Sequence, residues 1–176
     1  MIADRNGFPS KARARLLPPR LLLFSLLLQV PLIVLRWPLR PAFLPAISGL
    51  ALLLVGLVLN LWADRLFHRK GVGVCPFSPA PSLVREGPFR PTRNPMYLGM
   101  VLASASAPLI TGVYLNLWAP AALAAWLHFG FVLPEEAFLR ERLGAEYVLY
   151  ASVHPRWLGL PGRALLEPQT DSTKQR

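Results

Sequence analysis

The chain has 176 residues, 53% of them hydrophobic, and carries 19 Lys and Arg against 9 Asp and Glu, a formal net charge of +10. A mean hydropathy of +0.40, with long uncharged runs alternating with basic connectors, excludes an ordinary soluble domain and fits a bilayer. The basic residues flank apolar segments and form neither zinc-finger spacing nor an RNA-recognition motif, so membrane lipid headgroups rather than nucleic acid are their expected partners.

Residues 1–20 are largely polar and basic, and Pro9, Pro18 and Pro19 oppose a continuous helix, which predicts a loose N-terminal tail. Lys11, Arg13 and Arg15 precede an apolar run in the charge order of a signal peptide. No small-x-small cleavage site follows, so residues 21–37 are read as an uncleaved first span, with a kink expected at Pro31. A turn holding Arg36, Trp37, Pro38, Arg40 and Pro41 leads into residues 42–63, which are free of charge and predict a second span. Its Gly49 and Gly56 would let a neighbouring helix approach closely.

Residues 64–93 form a basic, Pro/Gly-rich connector, long enough to point to a functional role. Residues 94–134 carry no full charge, and a run of that length predicts two spans joined by a tight turn between Thr111 and Asn116. Beyond them, Leu139, Leu143 and Tyr147 recur every four residues, which predicts an amphipathic helix over residues 135–153 lying on the membrane face, weakened by Gly144. Residues 164–176 are mostly polar and are expected to be disordered, leaving residues 21–163 as one all-α membrane domain of about four spans.

Under this arrangement seventeen of the nineteen basic residues share one side, and only Arg36 and Arg40 fall opposite. The positive-inside rule then predicts a multi-pass protein of the cell inner (plasma) membrane with both termini and the long connector in the cytoplasm. Cys75 stands alone and excludes an internal disulfide; without a CxxC or Cys/His cluster, no metal is expected.

Two segments carry chemistry. The first is Gly-Pro-Phe-Arg-Pro-Thr-Arg-Asn-Pro-Met-Tyr-Leu-Gly over residues 87–99, and the second is the acid pair Glu135 and Glu136. A helical hairpin returns to the face it left, so the start of span three and the end of span four should converge. Arg90 and Arg93 offer forked donors to a carboxylate or phosphate, Asn94 and Tyr97 open a helix with free N–H groups, and Glu135 or Glu136 could accept from a ribose diol. Together these describe a pocket for a nucleoside with a charged tail. Trp62, Trp118 and Trp157 read as aromatic-belt residues, and His128, inside span four, is left outside the site.

Arg-Asn-Pro-Met-Tyr-Leu-Gly, followed some forty residues later by Glu-Glu and then by Leu-Gly-Ala-Glu-Tyr-Val-Leu-Tyr, resembles the isoprenylcysteine carboxyl methyltransferase and phospholipid methyltransferase superfamily over residues 81–157. The resemblance implies a multi-span fold that holds S-adenosyl-L-methionine at the cytoplasmic face and takes a lipid-like acceptor from the bilayer. By the same resemblance Pro81, Ser82, Leu83 and Val84 would line the nucleoside pocket, with Phe89 where the family often has tyrosine. Arg93, Asn94, Pro95, Met96 and Tyr97 fall on the cofactor motif, Glu135 on its acidic ligand, and Glu136 on the neighbour that could substitute.

Asn94 stands where the family has histidine, and asparagine cannot titrate near neutral pH, so no general base is expected there. Gly130, Phe131 and Val132 occupy the stretch where isoprenylcysteine enzymes carry arginine. No Ser/His/Asp or Cys/His arrangement supplies a nucleophile, and the catalytic residues stay unassigned. The function expected is methyl transfer from S-adenosyl-L-methionine to an oxygen or nitrogen of a lipid-like acceptor. The alternatives are an NADPH-dependent sterol-type membrane reductase and a non-catalytic membrane subunit.

Overall fold

The computed structural model describes residues 18–37, 41–70 and 83–159, and the secondary structure within them is helical, with no strand. Helix α1 (Pro18–Leu35) begins earlier than its sequence predicts. Pro18 and Pro19 sit in its first turn, where backbone N–H groups have no acceptor and a fixed φ already suits the helix, so they start it rather than oppose it. Helix α2 (Phe43–Lys70) also overruns its predicted end at Ala63, because no proline or glycine intervenes before Gly71. His68, Arg69 and Lys70 then fall in its last turn, where cations meet the negative end of the helix dipole.

Helix α3 (Pro95–Thr111) opens on a proline, and a turn at residues 112–113 returns the chain into helix α4 (Tyr114–Leu143). The predicted hairpin turn between Thr111 and Asn116 is therefore where the chain reverses. Helix α4 is one continuous rod with a 3-10 first turn and a π turn over His128–Val132. It does not end at Pro134, as a proline stop would suggest. The Leu133 N–H reaches back to the His128 carbonyl, and this wider turn lets the rod pass a residue that cannot donate to the carbonyl four positions before it.

The single amphipathic helix expected over residues 135–153 is therefore corrected to two pieces. The first is the end of α4, and the second is helix α5 (Ala145–Val153). Gly144 separates them with φ +53, a backbone state that side chains other than glycine's strain to adopt.

Helices α1, α2 and α4 are each long and apolar enough to cross a membrane; α3, at 17 residues, falls just below that length. Their outer faces expose large apolar side chains such as Phe24, Leu54 and Phe129, a surface suited to lipid rather than water. The most extensive interface joins α2 to α3. It is close because Gly49, Gly56 and Gly99 carry no side chain there: a Cβ on Gly56 would lie 2.6 Å from the Gly99 carbonyl oxygen, and one on Gly49 2.9 Å from Ile110.

Helix α1 docks through Leu21, buried with Met100, Leu123 and Leu127, and through polar groups. Ser25 and Ser104 hydroxyls lie 2.8 Å apart, Gln29 Nε2 donates to the Ser104 hydroxyl at 3.2 Å, and Asn116 Nδ2 donates to the Gln29 carbonyl at 3.0 Å. Gln29 Oε1 and Asn116 Oδ1 are buried without a partner among the described residues, so the network is only partly satisfied. Replacing Gln29 by Met removes one orphaned acceptor and leaves the serine pair intact. Denaturant unfolding in detergent should show a loss below about 1 kcal/mol; a larger loss would mean that Gln29 carries the docking of α1.

Candidate functional site

The basic end of the bundle is built from three pieces of chain. One is the turn of residues 91–95 ahead of α3, the second is the part of α4 that holds the acid pair, and the third is residues 154–159 beyond α5. The last piece runs back beneath the first: the Arg93 N–H donates to the Pro155 carbonyl at 2.9 Å, and the Gly159 N–H donates to the Pro91 carbonyl at 3.3 Å. Thr92, fully buried, donates its hydroxyl to the Arg156 carbonyl and accepts from the Asn94 N–H. Asn94 Nδ2 donates to the same Arg156 carbonyl at 2.9 Å.

The two segments singled out in the sequence meet here. The Tyr97 hydroxyl donates to Glu135 Oε1, and Arg93 Nη1 lies 3.1 Å from Glu136 Oε1. The two carboxylates have different surroundings. Glu136 is buried and saturated, because Arg156 binds it as a fork, Nε to Oε1 and Nη2 to Oε2, both at 2.8 Å, in addition to Arg93. Glu135 has Tyr97 on one oxygen, and its Oε2 has no hydrogen-bond partner among the described residues. Glu135 is thus the acceptor left open, while Glu136 is committed to holding the turn and the C-terminal segment together.

Arg93 also donates from Nη1 to the Tyr147 hydroxyl at 3.0 Å, and its Nε is buried without a partner among the described residues. Burial, more than the nearby Glu136 charge, raises the Tyr147 phenol above its ordinary range, so it stays neutral and accepts from the guanidinium. At the start of α3, Asn94 makes no side-chain cap, since its amide is turned toward Arg156. The first-turn N–H groups of α3 are not covered by that side chain.

The other sequence candidates lie on the α2 side of the same turn. Val84 and Phe89 are buried against Ala63, with Met96, Leu66 and Phe67 packed on them, and the Phe67 and Phe89 rings meet edge-on at 5.3 Å. Leu83 is half-buried and Pro95 fully buried, whereas Arg90 is exposed. Pro81 and Ser82, like Cys75, lie outside the described residues. Among the described residues no group of three His, Cys, Asp or Glu side chains could hold a metal.

Sequence reasoning gave no site role to Arg156, Thr92, Tyr147 or Trp157. Trp157 is not a belt residue at the lipid surface: it packs on the cluster of Leu21, Met100, Leu123 and Leu127 together with Tyr97 and Phe131, and its indole donates to His128 Nδ1 at 3.3 Å. The signal available was the run His154-Pro155-Arg156-Trp157, a proline-broken segment holding a cation and a large aromatic just after a short helix.

The sequence pattern of the phospholipid methyltransferase family matches residues 44–146. The match takes in α2, α3, α4 and the first residues of α5, and leaves α1 and residues 154–159 outside it. No curated protein and no solved structure matches the chain.

Proposed function

The chain belongs to the phospholipid methyltransferase family, and from that premise we propose that it is an S-adenosyl-L-methionine-dependent enzyme of four spans. It transfers a methyl group to an oxygen or nitrogen of a lipid-like acceptor, of the phospholipid amine or isoprenylcysteine carboxylate type. Its membrane is the cell inner membrane, with both termini and the basic end in the cytoplasm, as the distribution of Lys and Arg favours. The family is one of methyltransferases, which sets it apart from the reductase alternative.

The observation that carries this reading is the pairing of Tyr97 with Glu135, which leaves one carboxylate oxygen without a partner among the described residues beside the opening of α3. The donor set suits the cofactor. Glu135 Oε2 can accept from a ribose diol, and the first-turn N–H groups of α3 can hold a carboxylate. When bound, S-adenosyl-L-methionine supplies a methyl group on a sulfonium. The chain's own part is to orient, to exclude water and to disperse charge, through Tyr97, Phe131 and the Val84–Phe89 cluster that close the two sides of the turn. Asn94 holds the C-terminal segment and moves no proton.

Glu135→Gln is the test. Calorimetric titration with S-adenosylhomocysteine should show affinity weakened by about tenfold, the effect of losing one hydrogen bond to the ligand, with little change in thermal stability. Undiminished binding by this variant, or no binding by the wild type at millimolar ligand, overturns the proposed site.

A further inference from the structure

His128 is an ionisable side chain inside a membrane-crossing rod, a placement that points to function, and it opens the π turn, the other irregularity of that rod. The site described above does not use it. Its one hydrogen bond among the described residues fixes its chemistry. An indole N–H can only donate, so the Trp157 contact at 3.3 Å requires a lone pair on His128 Nδ1. The ring is then neutral with its proton on Nε2. That Nε2–H has no partner among the described residues, yet it is not sealed inside the protein. The adjacent Trp126 and Phe129 are 55% and 68% exposed, so the face beside His128 is open to the acyl region.

Depth narrows what can meet this donor. Trp157 belongs to the segment that pairs with Pro91 and Arg93 at the basic end, so His128 lies about one indole below that surface. The headgroup and interfacial zone is about 5–8 Å thick on each side of the hydrocarbon. A phosphate would remain level with the arginines, and a prenyl tail presents hydrocarbon at this depth. The ester carbonyls of a diacyl lipid lie there, and a carbonyl oxygen is an acceptor matched to a fixed N–H donor.

We propose that His128 is a specificity-determining residue of the acceptor site: held in one tautomer by Trp157, it donates from Nε2 to an ester carbonyl of the diacyl lipid to be methylated. This rests on the methyltransferase reading and adds a selection for ester-linked lipids to it. A donor that is already oriented and already desolvated on one side loses little on meeting its acceptor, so one hydrogen bond is enough to discriminate.

The experiment uses the full chain in nanodiscs of diester phosphatidylethanolamine and, in parallel, of its diether counterpart, which lacks the carbonyls. With 15N-labelled histidine, the His128 resonances should report an unprotonated Nδ1 and a protonated Nε2, and the Nε2 signal should differ between the two lipids. In the same discs, methyl incorporation from labelled S-adenosyl-L-methionine should favour the diester lipid by about three- to tenfold in KM, the worth of one hydrogen bond. His128→Phe should abolish that preference and leave S-adenosylhomocysteine binding intact; Trp157→Phe should reduce it by freeing the tautomer. A proton on Nδ1, or equal treatment of the two lipids by a wild type that binds S-adenosylhomocysteine, overturns the role of His128 alone. A wild type that does not bind S-adenosylhomocysteine overturns the methyltransferase reading with it.

Discussion

Glu136→Ala is expected to destabilise the basic end of the bundle by about 3–5 kcal/mol, the range for removing one partner of a buried ion pair. The cost comes from what is left behind. Arg93 is 11% exposed and would keep its charge next to a void, with its Nε already without a partner among the described residues, whereas Arg156 is 38% exposed and can turn to water. The ordering of variants follows from that difference. Arg156→Ala should cost distinctly less than Glu136→Ala, because the carboxylate retains Arg93, and Glu136→Gln should fall between wild type and alanine because it still accepts hydrogen bonds. Unfolding in mixed detergent, followed by helical signal, gives the three values. Equal losses for Arg156→Ala and Glu136→Ala would show that the Arg93 contact carries none of the stability.

The second large effect is expected at Gly99. A Cβ there would lie 2.2 Å from Asn60 Nδ2 and 2.6 Å from the Gly56 carbonyl oxygen. The amide can swing away at the loss of its 2.9 Å bond to the Gly56 carbonyl, but the carbonyl is backbone and moves only if α2 and α3 separate. Gly99→Ala should therefore cost about 2–3 kcal/mol, and Gly99→Leu should prevent assembly of the hairpin. Adding Asn60→Ala to Gly99→Ala should recover part of the loss and no more, since it relieves the side-chain overlap and leaves the backbone one. Wild-type stability for Gly99→Ala would mean that the two helices do not approach this closely.

The hairpin of α3 and α4, its turn and the meeting of Tyr97 with Glu135 were legible in the sequence because each follows from chain length and reversal. Two apolar runs joined by a tight turn must bring their outer ends together. The run past Pro134 was not legible, since a proline ordinarily breaks the hydrogen-bond ladder and the π turn that accommodates it leaves no mark in the apolar pattern. The unequal fates of Glu135 and Glu136 were equally hidden. Neighbouring carboxylates point to different sides of a helix, and which one is captured depends on Arg156, twenty residues on and placed by the bend at Gly144. The polar docking of α1 escaped notice because Ser25 and Gln29 are isolated within a greasy run, and only the position of Ser104 on another helix gives them partners.

Helix α3 is short for a crossing, since its 17 residues rise only about 25 Å against roughly 30 Å of hydrocarbon. A rod too short for its bilayer draws the surrounding leaflets inward, at a fraction of a kcal/mol per Å of shortfall. On the proposed four-span reading such thinning would reach the leaflet beside Tyr97, in the first turn of α3, with Glu135 next to it on α4. Under the proposed function, a lipid there would bring its polar head toward the level of Glu135 with both tails still immersed, and the reaction would not require its extraction from the leaflet.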